Sequence, residues 1–111
     1  MFQGLAANYE HYMSLLGERQ KLVASNIANV DTPGYQTQDL DFRAEFDKAS
    51  GDEAPMVIEP GNLAVKSDGN NVDLDREARL LAENALRFQI ATNFARGELA
   101  NVRAALQDGK G

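Results

Sequence analysis

The sequence predicts a mainly α chain in which long N- and C-terminal amphipathic helices pair as an antiparallel coiled coil, joined by an extended acidic middle with a small β-hairpin. Three observations carry this. Apolar residues recur three and four apart near the N-terminus, and again without a break near the C-terminus. Between these stretches the composition turns acidic and rich in turn-formers. At 111 residues the chain is at most one domain, which the pattern divides into a helix over 1–30, a turn and outer segment over 31–73, and a second helix over 74–107.

The first helix has a heptad seam of Phe2, Leu5, Tyr9, Tyr12, Leu16, Val23 and Val30, interrupted by Arg19 and Asn26. A buried polar residue at a seam position usually costs stability and fixes register or partner, the alternative being that both side chains simply reach the edge of the seam. Off the seam, Gln3, Glu10, His11, Glu18, Lys21 and Ser25 form a solvated face.

This helix should stop within Ser25-Asn26-Ile27-Ala28-Asn29-Val30-Asp31-Thr32-Pro33-Gly34-Tyr35. Asn26 and Asn29 share a helical face. Pro33 pushes Thr32 out of the helical region, and Gly34 allows the positive φ at the third position of a type II turn. Tyr35 can then fold back on the last helical turn.

In the middle, carboxylates far outnumber Arg43, Lys48 and Lys66. Two short apolar runs, Met56-Val57-Ile58-Glu59 and Leu63-Ala64-Val65-Lys66, flank Pro60-Gly61-Asn62 and predict a hairpin over 56–66. A second turn is expected at Ser67-Asp68-Gly69-Asn70-Asn71. A segment this long with so little regular structure is usually functional, or disordered until a partner orders it.

Asp73 is a suitable N-cap for the last helix, Asp75 suits its first turn, and Gly109 is a stop. Its seam runs Leu74, Ala78, Leu81, Ala85, Phe88, Thr92, Ala95, Leu99, Val102, Leu106. Ala78, Ala85 and Ala95 permit close approach of another helix. Leu86, Ile90 and Phe94 form a second stripe on the other side, where leaving each in water forgoes about 1.5–3 kcal/mol of burial. The helix should therefore pack on two sides, which requires neighbours. The expected assembly interface is Leu74, Leu81, Leu86, Phe88, Ile90, Phe94, Leu99, Val102 and Leu106.

The formal charge of −6 and pI near 4.6 argue against nucleic acid and anionic membrane. No apolar run is long enough for direct membrane insertion. The N-terminus has neither a basic leader nor a continuous apolar run, so no cleaved signal peptide is expected. Without cysteine there are no disulfides or thiolate metal sites. His11 stands alone, Ser25 lacks a neighbouring base, and Asp39, Asp41 and Glu45 sit in a solvated acidic stretch. The run Asp68–Asp75 has its glycine misplaced for a calcium loop and no closing glutamate. Catalytic residues, metal ligands and cofactors are accordingly expected to be none.

The string Ser25–Tyr35 closely resembles the signature near the N-terminus of bacterial flagellar rod and hook proteins. Asn70-Asn71-Val72-Asp73-Leu74-Asp75-Arg76-Glu77, Asn84-Ala85-Leu86-Arg87-Phe88-Gln89 and Gln36-Thr37-Gln38-Asp39-Leu40-Asp41-Phe42 resemble the proximal rod branch of that family. The resemblance implies a structural subunit whose terminal helices pair in the innermost layer of a hollow tube, with the middle covering the outside. It implies export by the flagellar type III apparatus and assembly in the periplasm. The implied partners are copies of itself, other rod subunits, the ring-to-rod adaptor and the membrane-embedded ring. A coiled-coil adaptor or secretion chaperone would explain the seams but not the turn.

Overall fold

The computed structural model describes residues 2–48 and 54–109, without the side chains of Phe2, Gln3 and Leu5, so the seam positions Phe2 and Leu5 lie outside the described residues. Five elements follow in order: α1 (Phe2–Ala28), β1 (Asp39–Leu40), α2 (Phe42–Phe46), β2 (Val57–Ile58) and α3 (Leu74–Asp108). The chain is elongated, 71 × 25 × 18 Å, with a radius of gyration of 18.5 Å. A compact chain of this length would have a radius near ~13 Å.

α1 and α3 run antiparallel: Asn26 near the end of α1 meets Glu77 at the start of α3, Leu16 meets Asn84, and Ala6 and Tyr9 lie opposite Phe94 to Val102. α3 has 35 residues, about 52 Å at the usual helical rise. It begins as expected, with the Asp73 carboxylate accepting from the backbone N–H groups of Asp75 (3.0 Å) and Arg76 (3.3 Å).

The α3 seam requires correction. Leu74, Leu81, Phe88, Leu99 and Leu106 are between 39% and 64% exposed, whereas the row buried against the rest of the chain is Glu77, Asn84 and Ala91. That row also repeats every seven residues, and it is small or polar. It lies between the expected seam on one flank and the Leu86-Ile90-Phe94 stripe on the other, which is 58%, 59% and 54% exposed. The apolar periodicity of α3 thus describes two faces that this chain leaves open.

α1 behaves differently, because it packs against α3 on one side and against α2 and β1 on another. Leu16 and Val23 of its expected seam are buried, and so is Leu15, off the seam.

The middle is not a wholly extended outer segment. Asp41 caps α2 by accepting from Ala44 N–H (3.1 Å), and α2 lays Phe42 and Phe46 against Tyr12, both edge to face, with His11 stacked on Phe46. His11 Nε2 donates to the Glu45 carbonyl (2.9 Å), so this residue is half-buried rather than solvated. The expected hairpin over 56–66 does not form. Val57–Ile58 pairs antiparallel with β1, in the register Asp39↔Ile58 and Leu40↔Val57, and Leu63–Lys66 is not a strand. β1 is fixed against α1 by burial of both its residues and offers β2 a backbone edge, which a Pro-Gly bend alone does not supply.

The signature junction and the candidate assembly surfaces

The turn that ends α1 forms as its residues dictate. Tyr35 N–H donates to the Thr32 carbonyl (3.2 Å) and Gly34 has φ +76°, the geometry of a type II turn with Pro33 and Gly34 at its centre. The expected turn at Ser67–Asn71 also forms, with Gly69 at φ +86° and its N–H on the Lys66 carbonyl (2.9 Å). The two turns are in contact: Gly34 N–H donates to the Asp68 carbonyl (2.9 Å), and a Cβ on Gly69 would lie 3.3 Å from Gly34 Cα. Both glycines are needed for their positive φ.

Three asparagines stitch the turns to the helices. Asn26, fully buried, uses every bond its amide can make. Its Nδ2 donates to the Gln38 carbonyl (2.8 Å) and Glu77 Oε1 (2.9 Å), while Oδ1 accepts from Gln38 N–H and the Tyr35 hydroxyl, both at 3.0 Å. The Tyr35 hydroxyl in turn accepts from Ser25 Oγ (3.2 Å), so Tyr35 does fold back on the last turn of α1. Asn70, also fully buried, donates to the carbonyls of Asn29 (2.8 Å) and Thr32 (2.9 Å) and thereby satisfies groups orphaned where α1 ends. Asn71 Oδ1 accepts from Thr37 N–H (2.6 Å) and its Nδ2 donates to Gln36 Oε1 (3.0 Å).

A buried charge cluster joins three elements at the same place. Arg19 of α1 grips Asp39 of β1 with two bonds of 3.1 Å, and Arg76 of α3 reaches Asp39 Oδ2 (2.6 Å) and Glu77 Oε1 (2.9 Å). Arg19, an interruption in the seam, therefore sets the register of α1 against the middle. Glu77 is fully buried, and no donor among the described residues reaches its Oε2. Burial pushes its carboxyl above the ordinary value despite Arg76 and Asn26. Glu45 is held below the ordinary value, first by its bond to Lys48 and next by Met56 N–H.

No group of three or more His, Asp or Glu among the described residues could hold a metal ion. Asp39 and Glu45 are committed to ion pairs, Asp41 and Asp73 to helix caps, and Asp68 to the Asn70 N–H. What the described residues do offer is apolar surface. One cleft, about 350 Å³, lies between Leu16, Gly17 and Gln20 of α1 and Leu81, Asn84, Ala85 and Phe88 of α3. A second, about 330 Å³, on the other flank of α3, is lined by Asn8, Tyr9, Tyr12, Phe46, Arg87, Ile90, Ala91 and Phe94. Of the expected interface residues, Val102 is half-buried and the other eight are exposed. The sequence reading missed the Glu77-Asn84-Ala91 row, although the same spacing of seven was there to be found.

Comparison with known proteins places residues 13–36 in a family described as flagella basal body rod protein. The chain is similar to flagellar basal body rod protein FlgB of Proteus mirabilis (strain HI4320), 32% identical over 87% of this chain and 89% of that one. It is 33% identical to FlgB of Salmonella typhimurium over 87% and 88%. It is 28% identical to FlgB of Bacillus subtilis (strain 168) over 99% and 98%.

Proposed function

Because this chain belongs to the FlgB family of flagellar basal body rod proteins, which is structural rather than enzymatic, we propose that it polymerises through its terminal helices into the proximal part of the hollow rod. In this reading the rod transmits torque and passes exported subunits. The partners are further copies, other rod subunits, the ring-to-rod adaptor and the membrane-embedded ring. The subunit reaches the periplasm through the flagellar type III apparatus without loss of a signal peptide. The exposed Leu74, Leu81, Leu86, Phe88, Ile90, Phe94, Leu99 and Leu106, with Val102, supply the contacts, and coiled-coil packing arises between α3 and helices of neighbours.

The observation that carries this reading is the placement of α3. It meets its own partner helix with Glu77, Asn84 and Ala91 and leaves large apolar residues on both flanks in water. A protein with no further partner would turn those residues inward. Charge supports it too: α1 carries two carboxylates and two bases, α3 five of each, so the negative excess lies in the middle. Like helices can then approach without net repulsion.

Ile90→Asp tests the reading. The free chain's circular dichroism should be nearly unchanged, since that side chain already meets water, whereas in a tube an unpaired carboxylate would be buried at every copy. Rods should no longer be recovered from cells expressing the variant. Rods at wild-type yield would show that the stripe is a solvated face. Mass against concentration separates the alternatives, a stable small oligomer indicating a chaperone and a monomer the rod subunit.

A further inference from the structure

We propose that the outer edge of β2 is a docking site for an extended, basic segment of a different protein, which adds to the β1–β2 pair as a third strand. The site lies in the middle of the chain and uses neither flank of α3, so it stands apart from the polymerisation reading.

The strand pair has one covered side and one open side. Both residues of β1 are buried and α1 packs on them, whereas Met56, Val57 and Ile58 of the outer strand region are 66%, 50% and 38% exposed. In an antiparallel pair, alternate residues of the outer strand turn their N–H and C=O groups away from the partner. Among the described residues there is no third strand, and residues 59–65 make no backbone hydrogen bond to one another or to β2. The Leu63–Val65 run therefore leaves the edge of β2 uncovered.

The edge is also fixed in place. Met56 N–H donates to the Glu45 carboxylate (2.9 Å), which Lys48 holds from its other side, so β2 is anchored on β1 before any segment arrives. Pro55 and Pro60 bracket Met56–Glu59 and confine the site to four residues, about 14 Å of strand. Edges that must stay unpaired commonly carry lysine, and these four residues include none. Strand addition of this kind draws affinity from main-chain hydrogen bonds and selectivity from side chains.

Charge selects the occupant. Asp39 is neutralised by Arg19 and Arg76, and Glu45 by Lys48. Asp41 follows β1 directly, Glu59 follows Ile58, and Asp47 lies two residues beyond Glu45; these three are exposed against Arg43. Lys66 is turned to the Val30 carbonyl (3.4 Å). The surroundings of the strand thus favour lysine or arginine on an incoming segment, and they repel the same region of a second copy.

The probe is a labelled hexapeptide of alternating lysine and valine, titrated with the full chain at low salt beside its glutamate and valine counterpart. The basic peptide should bind at least tenfold more tightly, the gap should close as salt is raised, and the amides of Val57 to Glu59 should show the largest NMR shifts. Full N-methylation of the basic peptide keeps its charge, removes every backbone donor and leaves the protein unaltered; binding should fall at least tenfold. Glu59→Lys, at an exposed position, should melt like the wild type and erase the preference for the basic peptide. Equal binding of the methylated peptide, a preference unchanged by Glu59→Lys, shifts centred on α3, or no binding of either peptide would overturn the proposal. Protection of the Val57 and Ile58 amides that rises with protein concentration alone would place a second copy on the edge and overturn it as well.

Discussion

The junction where α1 ends and α3 begins is built the opposite way from the far end of α3. At the junction polar groups are buried: Asn26, Thr37, Asp39, Asn70, Asn71 and Glu77 are all inside, and side-chain amides mimic backbone ladders. Beyond Ala91 the described residues of α3 include no buried side chain, and Phe94, Leu99 and Leu106 stand in water. Hydrogen bonds are directional, so the junction specifies one geometry. Apolar surface is not directional, and the far end of α3 leaves it exposed. The junction is fixed largely by polar contacts, whereas α3 leaves large apolar side chains exposed on both its flanks.

If that contrast is real, the largest loss should follow from Asn26→Ala. It removes four hydrogen bonds, takes the partner from both the Gln38 N–H and carbonyl, and deprives Tyr35 and Glu77 of one bond each, costing roughly 3–5 kcal/mol in a urea or thermal melt. A loss near that of an exposed alanine substitution would show that the junction does not organise the fold. Next is Gly34→Val, which forces a β-branched side chain to positive φ at a cost on the order of 1–3 kcal/mol. Motility should fall while export persists.

Acid sharpens the comparison inside the junction. The Glu77 carboxyl titrates above the ordinary value, so the folded state holds its proton more tightly than the unfolded chain does. Its contribution to stability is complete below the ordinary carboxylate value near 4.5 and is lost as pH rises through the raised one. Glu45 works in the other direction, its contribution being lost as pH falls through a lowered value. Glu77→Gln should therefore gain on the wild type at neutral pH, with the difference shrinking in acid. Melts of both proteins across pH would reveal a constant difference if Glu77 does not titrate. The smallest effect belongs to the exposed flank. Leu81→Asp should cost the free chain only about 1 kcal/mol, since the side chain is already 39% exposed. A large loss of helicity would mean that α3 pairs with α1 through its leucines after all.

Local chemistry was legible in the sequence wherever one residue decides. Pro33 and Gly34 dictated the type II turn, Asp73 the start of α3, and Asp68-Gly69 the second turn. Partners were harder to read. Heptad periodicity reports which residues avoid water in the finished environment and not which of them meet inside one chain. It therefore assigned Leu74, Leu81 and Phe88 to a pairing that Glu77, Asn84 and Ala91 make. α2 escaped notice because five residues are too few for periodicity, although Asp41 as a cap and Phe42 with Phe46 one turn apart were available signals. The strand Val57–Ile58 was visible but its partner was not, since β1 lies distant in sequence and is held in place by contacts of its own.

The meeting of Gly34 and Gly69 bears on the order in which this chain folds. Neither turn has its neighbour until the long segment between them has closed, and closing it has an entropic cost that neither turn's own hydrogen bond can offset. The two turns should thus be acquired in one step. In refolding kinetics, Gly34→Ala and Gly69→Ala should slow the same phase with matching φ-values. Helical signal from α1 alone should appear earlier and be insensitive to both.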